Sequence, residues 1–338
     1  MNRLVIFTPG PPNGTPTQGV LIGELLASDG VDVRVVSRAS TSIGRFFDIA
    51  LRGLFEVAGT DSVLTNVYGG RAFVHESLAI LYARLLRKRS VAVIRGGWLL
   101  DFVKRHPYWG KFILSLPDLN VTPHQFLFQG FGNMGIGVGR VIPNFIQLEN
   151  YPFRMRDRAG PRFLYTRGTH EIYNPEMAVR AFGAIREKVT DATLTMAGTG
   201  DQTKVKELVR SLGLSSIVRF VGLVPKREIP ELIDHHDIYI QSNRVENMPV
   251  SILEMWACGI PVVATEVGGT SHLVNSGNDG LLVASENPEA LAEACLRLLK
   301  EPQLVERLSS NGRQRVEEFS WENVQSSWLD ALFPNDKK

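Results

Sequence analysis

Two cysteines in 338 residues, Cys258 and Cys295, are too few for a disulfide framework, and they read as reduced, buried thiols. No run comes near the roughly 18 apolar residues that a membrane-spanning helix needs. The start offers a short apolar run at residues 4–8, then glycine and proline. That is the pattern of a strand, not of a signal peptide's long apolar core. An excess of one charge is also lacking. Against 37 Lys and Arg stand 35 Asp and Glu, a net charge of +2, which argues against a nucleic-acid binder with a strongly basic surface. Internal repeats and low-complexity tracts are missing. These absences exclude collagen-like, coiled-coil, disordered and disulfide-stapled classes.

What is present is an ordinary globular composition, 44% hydrophobic and 21% charged. At about 150 residues per domain the length suggests two domains. A chain of this size buries enough apolar surface to need no disulfide or metal staple. The charge is unevenly spread: residues 1–150 carry 15 Lys and Arg against 10 Asp and Glu, and the remainder 22 against 25. A basic first half is therefore joined to a mildly acidic second half.

Short β-type runs alternate with helical stretches throughout. In the first half, residues 4–8, 31–37 and 91–94 read as strands, and 18–28 and 73–87 as helices. In the second half, strands at 163–166, 193–197, 218–221, 238–241 and 262–264 alternate with helices at 175–189, 204–212, 229–233 and 249–258. Two further helices follow at 288–299 and 302–319. This is βαβ logic, which predicts parallel, doubly wound sheets with ligand crevices at the carboxyl ends of the strands. Prolines at 143 and 152 mark the boundary, so the domains are expected at 1–145 and 146–318. In residues 319–333, Trp321, Val324, Trp328 and Leu332 fall on one helical face. That amphipathic helix is expected to pack back on the first domain.

The chemistry concentrates in Glu246-Asn247-Met248-Pro249-Val250-Ser251-Ile252-Leu253-Glu254, followed by Cys258-Gly259-Ile260-Pro261-Val262-Val263-Ala264. Pro249 suits a first helical turn, where its missing N–H is no loss. The N–H groups of Val250, Ser251 and Ile252 would then point out of the helix start and seat a phosphate. Glu254 lies further along the same helix, and an ionised carboxylate there accepts two ribose hydroxyls. Glu246, in the approaching loop, is placed for hydroxyls further along the ligand. On spacing alone, a capping acid and an exposed acid remain the plainer alternative.

Two glutamates eight residues apart, then a small residue, Gly, x, Pro-Val-Val-Ala and Gly268-Gly269, resemble the signature of the retaining glycosyltransferases of family 4. More elements match in order: Gly198-Thr199-Gly200 after a strand, the strand Val218-Arg219-Phe220-Val221-Gly222, Asp237-Ile238-Tyr239-Ile240, and Gly280-Leu281-Leu282-Val283. The resemblance is dense over residues 160–325 and thin over 1–150. It implies an α/β GT-B fold, two facing Rossmann-like domains with a closing C-terminal helix. The first domain would bind the acceptor and the second a UDP- or GDP-sugar donor. Glu254 would bind the ribose and Glu246 would lie near the donor sugar. The backbone of Val221, Gly222 and Leu223 would meet the base. Asn247 and Met248 would help bring main-chain amides to the sugar and phosphate. Gly14, in the loop after the first strand, would let the backbone approach the donor, as would Gly198.

The resemblance further implies transfer with retained anomeric configuration to a glycan or lipid-linked acceptor in cell-surface polysaccharide biosynthesis. It implies no cofactor and no metal, and the chain has no Asp-x-Asp motif. The location it implies is cytoplasmic, with no nucleic-acid partner. Two departures stand out. Arg95 occupies a position where the family commonly has histidine; it offers fixed charge and no proton exchange. Arg167 supplies the first phosphate-facing cation, but the family's lysine position falls near Tyr173-Asn174, without a cation. A sugar-nucleotide-binding protein with impaired catalysis, or a GT-B epimerase, is therefore the alternative reading. Gly130, Gly132 and Gly135 fit G-x-G-x-x-G but lack a following helix, so they read as a loop. His235-His236-Asp237 reads as structure and not as a metal cluster. The basic run Arg84–Arg89 and the amphipathic residues 45–55 are expected to allow peripheral contact with an anionic membrane.

Overall fold

The computed structural model describes residues 1–9, 16–37, 39, 41–96 and 98–334. The chain divides into two units, 1–144 with 324–338 and 145–323. Twelve strands are found among the described residues. In the first unit they are β1 (Arg3–Phe7), β2 (Asp32–Val36), β3 (Ser62–Val67), β4 (Arg89–Ile94), β5 (Leu119–Thr122) and β6 (Arg140–Val141). In the second they are β7 (Arg162–Tyr165), β8 (Thr193–Ala197), β9 (Val218–Gly222), β10 (Ile238–Gln241), β11 (Val262–Thr265) and β12 (Leu281–Val283). The sheets run β2-β1-β3-β4-β5-β6 and β12-β11-β10-β7-β8-β9. The pairings within both are parallel. The two doubly wound sheets are those the alternating pattern predicts.

Strands covered by helices on both faces have no polar side to show. β3 and β11 are accordingly buried at every position. The pleat sends alternate residues to opposite layers. In β7, Phe163 and Tyr165 enter one apolar core with Phe182 and Leu291. Leu164 between them enters the other, with Tyr239 and Trp256. Trp256 also donates its indole N–H to the carbonyl of Asp279 at 2.8 Å.

The glycine-rich stretch is not the loop it resembles. Gly130 and Gly132 close a helix, Gln125–Gly132, and Gly135 turns at φ +73° before β6. The helix holds through its apolar face, where Leu127 and Phe131 are buried. The C-terminal helix runs Trp321–Leu332. Trp321 stacks near Phe145, with ring centroids 4.8 Å apart. From Val324 onward its residues belong to the first unit. There the carbonyl of Ala331 accepts from the Arg89 guanidinium at 3.1 and 3.2 Å, and that of Ser327 from Arg140 at 3.3 Å. The Arg89 cation sits at the end of the helix, where its dipole favours positive charge.

Candidate active site

In the second sheet the chain builds outward from β7 through β8 to β9, then returns to lay β10 on the other side of β7. The loops leaving β7 and β10 therefore diverge, and a crevice opens at their carboxyl ends. Arg167 follows β7, and Asn243 and Glu246 follow β10. The Arg167 guanidinium donates Nη2–H to Glu246 Oε2, and the Asn243 amide reaches the same oxygen at 2.7 Å. Glu246 Oε1 accepts the Asn247 main-chain N–H at 3.0 Å. Both side chains of the ion pair are largely buried. Burial works against the Arg167 charge. Glu246 and the hydroxyls of Tyr239, Tyr173 and Tyr165 outweigh it, and the pKa is raised further. The guanidinium carbon lies 5.2 Å from the centre of the Tyr173 ring. Its Nε–H is buried and has no acceptor among the described residues. A buried cationic donor left unpaired is expensive, and an incoming anion would satisfy it.

The helix after this loop runs Val250–Cys258, one residue later than the sequence suggests. Pro249 precedes it with extended backbone, ψ 108°. Its carbonyl takes the Ile252 N–H at 3.1 Å. The proposed seat of three N–H groups is thus reduced to two: those of Val250 and Ser251 meet no main-chain carbonyl among the described residues. Glu254 stands in the helix and accepts the Tyr151 hydroxyl at 2.8 Å. Burial raises the pKa of Glu254, against the nearby charge of Lys226, the Tyr151 hydrogen bond and the charge of Arg167. Lys226, in a turn after β9, is a cation that motif spacing did not reveal. Tyr151 and Asn243 were missed as well. Asn243 stands three residues before Glu246, a spacing the sequence does print. Nothing in the sequence pairs Tyr151 with a glutamate 103 positions away.

Glycines bring these loops together. Gly198, after β8, has φ +142°, and a Cβ there would lie 2.4 Å from the Arg167 carbonyl oxygen. Its N–H donates to the Gly222 carbonyl at 2.7 Å, tying the ends of β8 and β9. Val221 is half-buried beside it, and Leu223 is exposed at the rim. A Cβ on Gly269 would stand 1.4 Å from the Asn247 carbonyl oxygen, so only glycine lets this turn press on the 246–247 loop. Gly269→Ala is expected to lower stability by about 3 kcal/mol through overpacking. Urea unfolding measures this, and an unchanged midpoint would show that the loop yields freely.

The other anticipated residues separate. Gly14 lies outside the described residues. Arg95 belongs to the first unit, where its guanidinium donates to Asn66 Oδ1 at 2.5 Å and Asn144 Oδ1 at 2.6 Å. These two amides hold it, and burial lowers its pKa against the neighbouring Tyr68. Met248 is buried in the core of the second unit. Tyr173-Asn174 indeed brings no cation: Tyr173 lies against Arg167, and Asn174 donates to Glu286 at 3.0 Å. His236 bonds Leu232 O and Thr195 Oγ1, and Asp237 pairs with Arg162 at 2.7 Å. Among the described residues no group of three His, Cys, Asp or Glu side chains gathers to hold a metal ion.

Residues 159–315 match the family described as glycosyl transferases group 1. The second unit carries a group 1 domain. The match takes in Arg167, Gly198, Glu246 and Glu254. Over 192 residues, 53% of the chain, it is 29% identical to a D-inositol 3-phosphate glycosyltransferase of Frankia alni. Over 220 residues, 62% of the chain, it is 29% identical to a glycogen synthase of Mycobacterium tuberculosis. These segments cover 47% and 51% of the two relatives, so the chain spans about half the length of the curated relatives it matches. Among solved structures, HepE of Anabaena in complex with UDP covers 98% of this chain and 99% of its own, with a TM-score of 0.78 at 16% identity. A sucrose-phosphate synthase of Thermosynechococcus elongatus covers 97% and 98%, with a TM-score of 0.80 at 18% identity. At such identities the likeness shows the fold alone, which is GT-B. The group 1 domain thus holds the Arg167–Glu246 pair and Glu254, whereas Arg95 stands outside it.

Proposed function

We propose that this protein is a retaining glycosyltransferase that moves a sugar from a UDP- or GDP-sugar to a hydroxyl of a glycan or lipid-linked acceptor. The observation that carries the reading is the buried Arg167–Glu246 pair at the switch point of the group 1 domain, with an unpaired Nε–H on the arginine. The second unit takes the donor. Arg167 and the N–H groups of Val250 and Ser251 meet the diphosphate, Glu246 meets the sugar hydroxyls, and Glu254 meets the ribose. Acceptor recognition falls to the first unit, with its surplus of Lys and Arg over Asp and Glu.

In the transfer step the bond from the anomeric carbon to the diphosphate breaks. A bond to the acceptor oxygen forms on the same face, and the acceptor's proton passes to the departing phosphate oxygen. The charge left on the diphosphate is met by Arg167 and the helix start, so the step calls for no metal. The relatives named D-inositol 3-phosphate glycosyltransferase and glycogen synthase, and HepE solved with UDP, support donor chemistry of this class. The setting is cell-surface polysaccharide biosynthesis in the cytoplasm. Among the described residues no helix is long and apolar enough to cross a membrane.

A panel of nucleotide sugars read by thermal shift tests the donor. The right nucleotide stabilises by mass action, about 2.7 kcal/mol at a hundred-fold excess over Kd. A panel in which no nucleotide diphosphate shifts melting would overturn the reading. Donor binding without turnover on any acceptor would instead favour a binding protein, and release of an altered nucleotide sugar without acceptor an epimerase.

A further inference from the structure

Three strand-to-strand steps of the first unit, β2 to β3, β3 to β4 and β4 to β5, move the same way across the sheet. Right-handed crossovers therefore put their helices on one face. These helices are Ser42–Ala58, Phe73–Leu85, Leu99–Arg105 and Pro107–Leu114. They form one layer: the Tyr82 hydroxyl donates to Ala50 O at 3.1 Å, and the Phe73 and Trp109 rings lie 4.9 Å apart. The outer surface of the layer is apolar in a way the fold does not need. Along Ser42–Ala58, Ile43, Phe47, Leu51 and Phe55 recur every four residues on one stripe, 74%, 56%, 70% and 78% exposed. Across the layer, Tyr108 and Phe112 stand 92% and 57% exposed. A contiguous patch of large apolar side chains marks an interaction surface, whereas single exposed residues do not.

We infer that this layer docks onto an anionic lipid bilayer, with the Ile43–Phe55 stripe lying in the headgroup–acyl boundary. Charge selects the occupant. The stripe helix is neutral in itself, with Arg45 and Arg52 against Asp48 and Glu56, and Arg52 pairs with both acids. Its flanks are not. Residues 99–114 carry Lys104, Arg105 and Lys111 against Asp101 alone. Residues 70–88 carry Arg71, Arg84, Arg87 and Lys88 against Glu76, which is buried. An apolar stripe on one helix of the layer, with cation-rich helices beside it and Tyr and Trp further along the same layer, matches an anionic membrane surface. A second copy of the chain would press like-charged helices together. The surface acts whether or not the chain transfers sugar; its product would be a transferase held at the membrane where a lipid-linked acceptor lies.

The test is sedimentation of the full chain with vesicles of phosphatidylcholine alone or in equal mixture with phosphatidylglycerol. Wild type is expected on the mixed vesicles, less so at high salt. Phe47→Ser/Leu51→Ser/Phe55→Ser should weaken partition about 100-fold, because three apolar side chains lose their burial. Arg105→Ala/Lys111→Ala should cost on the order of 25-fold on the mixed vesicles and nothing on neutral ones. An unchanged circular dichroism spectrum and unchanged nucleotide-induced thermal shift show that both variants are folded and that the donor site is intact. Wild type left in the supernatant, or a triple variant that binds as wild type does, overturns the inference. So does a concentration-dependent dimer that the triple variant dissolves, which would assign the face to a second copy.

Discussion

Arg167→Ala is expected to lower kcat/KM for sugar transfer about a thousand-fold, with most of the loss in kcat. Two effects combine. The guanidinium offers fixed donors where charge grows on the departing diphosphate, and one such preorganised donor is worth about 10²–10³ in rate. Its removal also strands Glu246, which shares an oxygen between Arg167 and Asn243. Breaking a buried pair by deleting one partner costs about 3–5 kcal/mol. Arg167→Lys separates these contributions. It keeps the charge near Glu246 but loses the planar fork, so the fold should recover while much of the rate deficit persists. Steady-state kinetics of both variants at saturating donor decide the matter. Equal rates in wild type and Arg167→Ala would remove the arginine from the chemistry. A raised KM with unchanged kcat would make it a binding group and no more.

The fold was legible because parallel strands buried on both faces must be written as apolar runs. Phe163 to Tyr165 and Val262 to Ala264 are such runs, and both are strands. β3 was overlooked because Ser62, Thr65 and Asn66 interrupt its apolar residues, yet the whole strand is buried. The Ser62 hydroxyl and Asn66 amide there donate to the main-chain carbonyls of Arg89 and Phe7 in the flanking strands. Polarity in a strand thus hides burial when the backbone accepts it.

The site was legible in part for a similar reason. Glu246, Pro249 and Glu254 are close in sequence, so the turn of one helix fixes their relation. Pro249 was read one position too far into that helix, because proline fits both N-cap and first-turn positions and only its ψ of 108° distinguishes them. Tyr151 and Lys226 reach Glu254 from other elements, and no local spacing records that. Arg95 stands in sequence where it could offer fixed charge to a phosphate. Its partners prove to be Asn66 and Asn144, at the carboxyl end of the first sheet.

Glu254→Ala is expected to weaken nucleotide diphosphate binding about 100-fold or more. An ionised carboxylate accepting two ribose hydroxyls makes two charge-assisted hydrogen bonds, each worth about 1.5–3 kcal/mol. The pH dependence gives a sharper test. Burial, first, raises the pKa of Glu254 in the free protein, and the charge of Lys226 and the Tyr151 hydroxyl only partly oppose it. The folded state therefore holds this proton more tightly than the unfolded chain does. Its contribution to stability is complete below the unfolded pKa and is lost as pH rises through the raised folded value. Ligand binding runs the other way. Ribose hydroxyls donate to the ionised form, so binding releases the proton. Affinity should rise with pH through the raised pKa and level off above it. Glu254→Gln keeps an acceptor for the Tyr151 hydroxyl but cannot titrate, so its affinity should be lower and flat over the same range. Isothermal titration of UDP and GDP across that window, in buffers of different ionisation enthalpy, measures both the affinity and the released proton. A wild-type profile as flat as that of the glutamine variant, or equal affinity in wild type and Glu254→Ala, would take the ribose away from Glu254 and leave its carboxylate as a partner of Tyr151 alone.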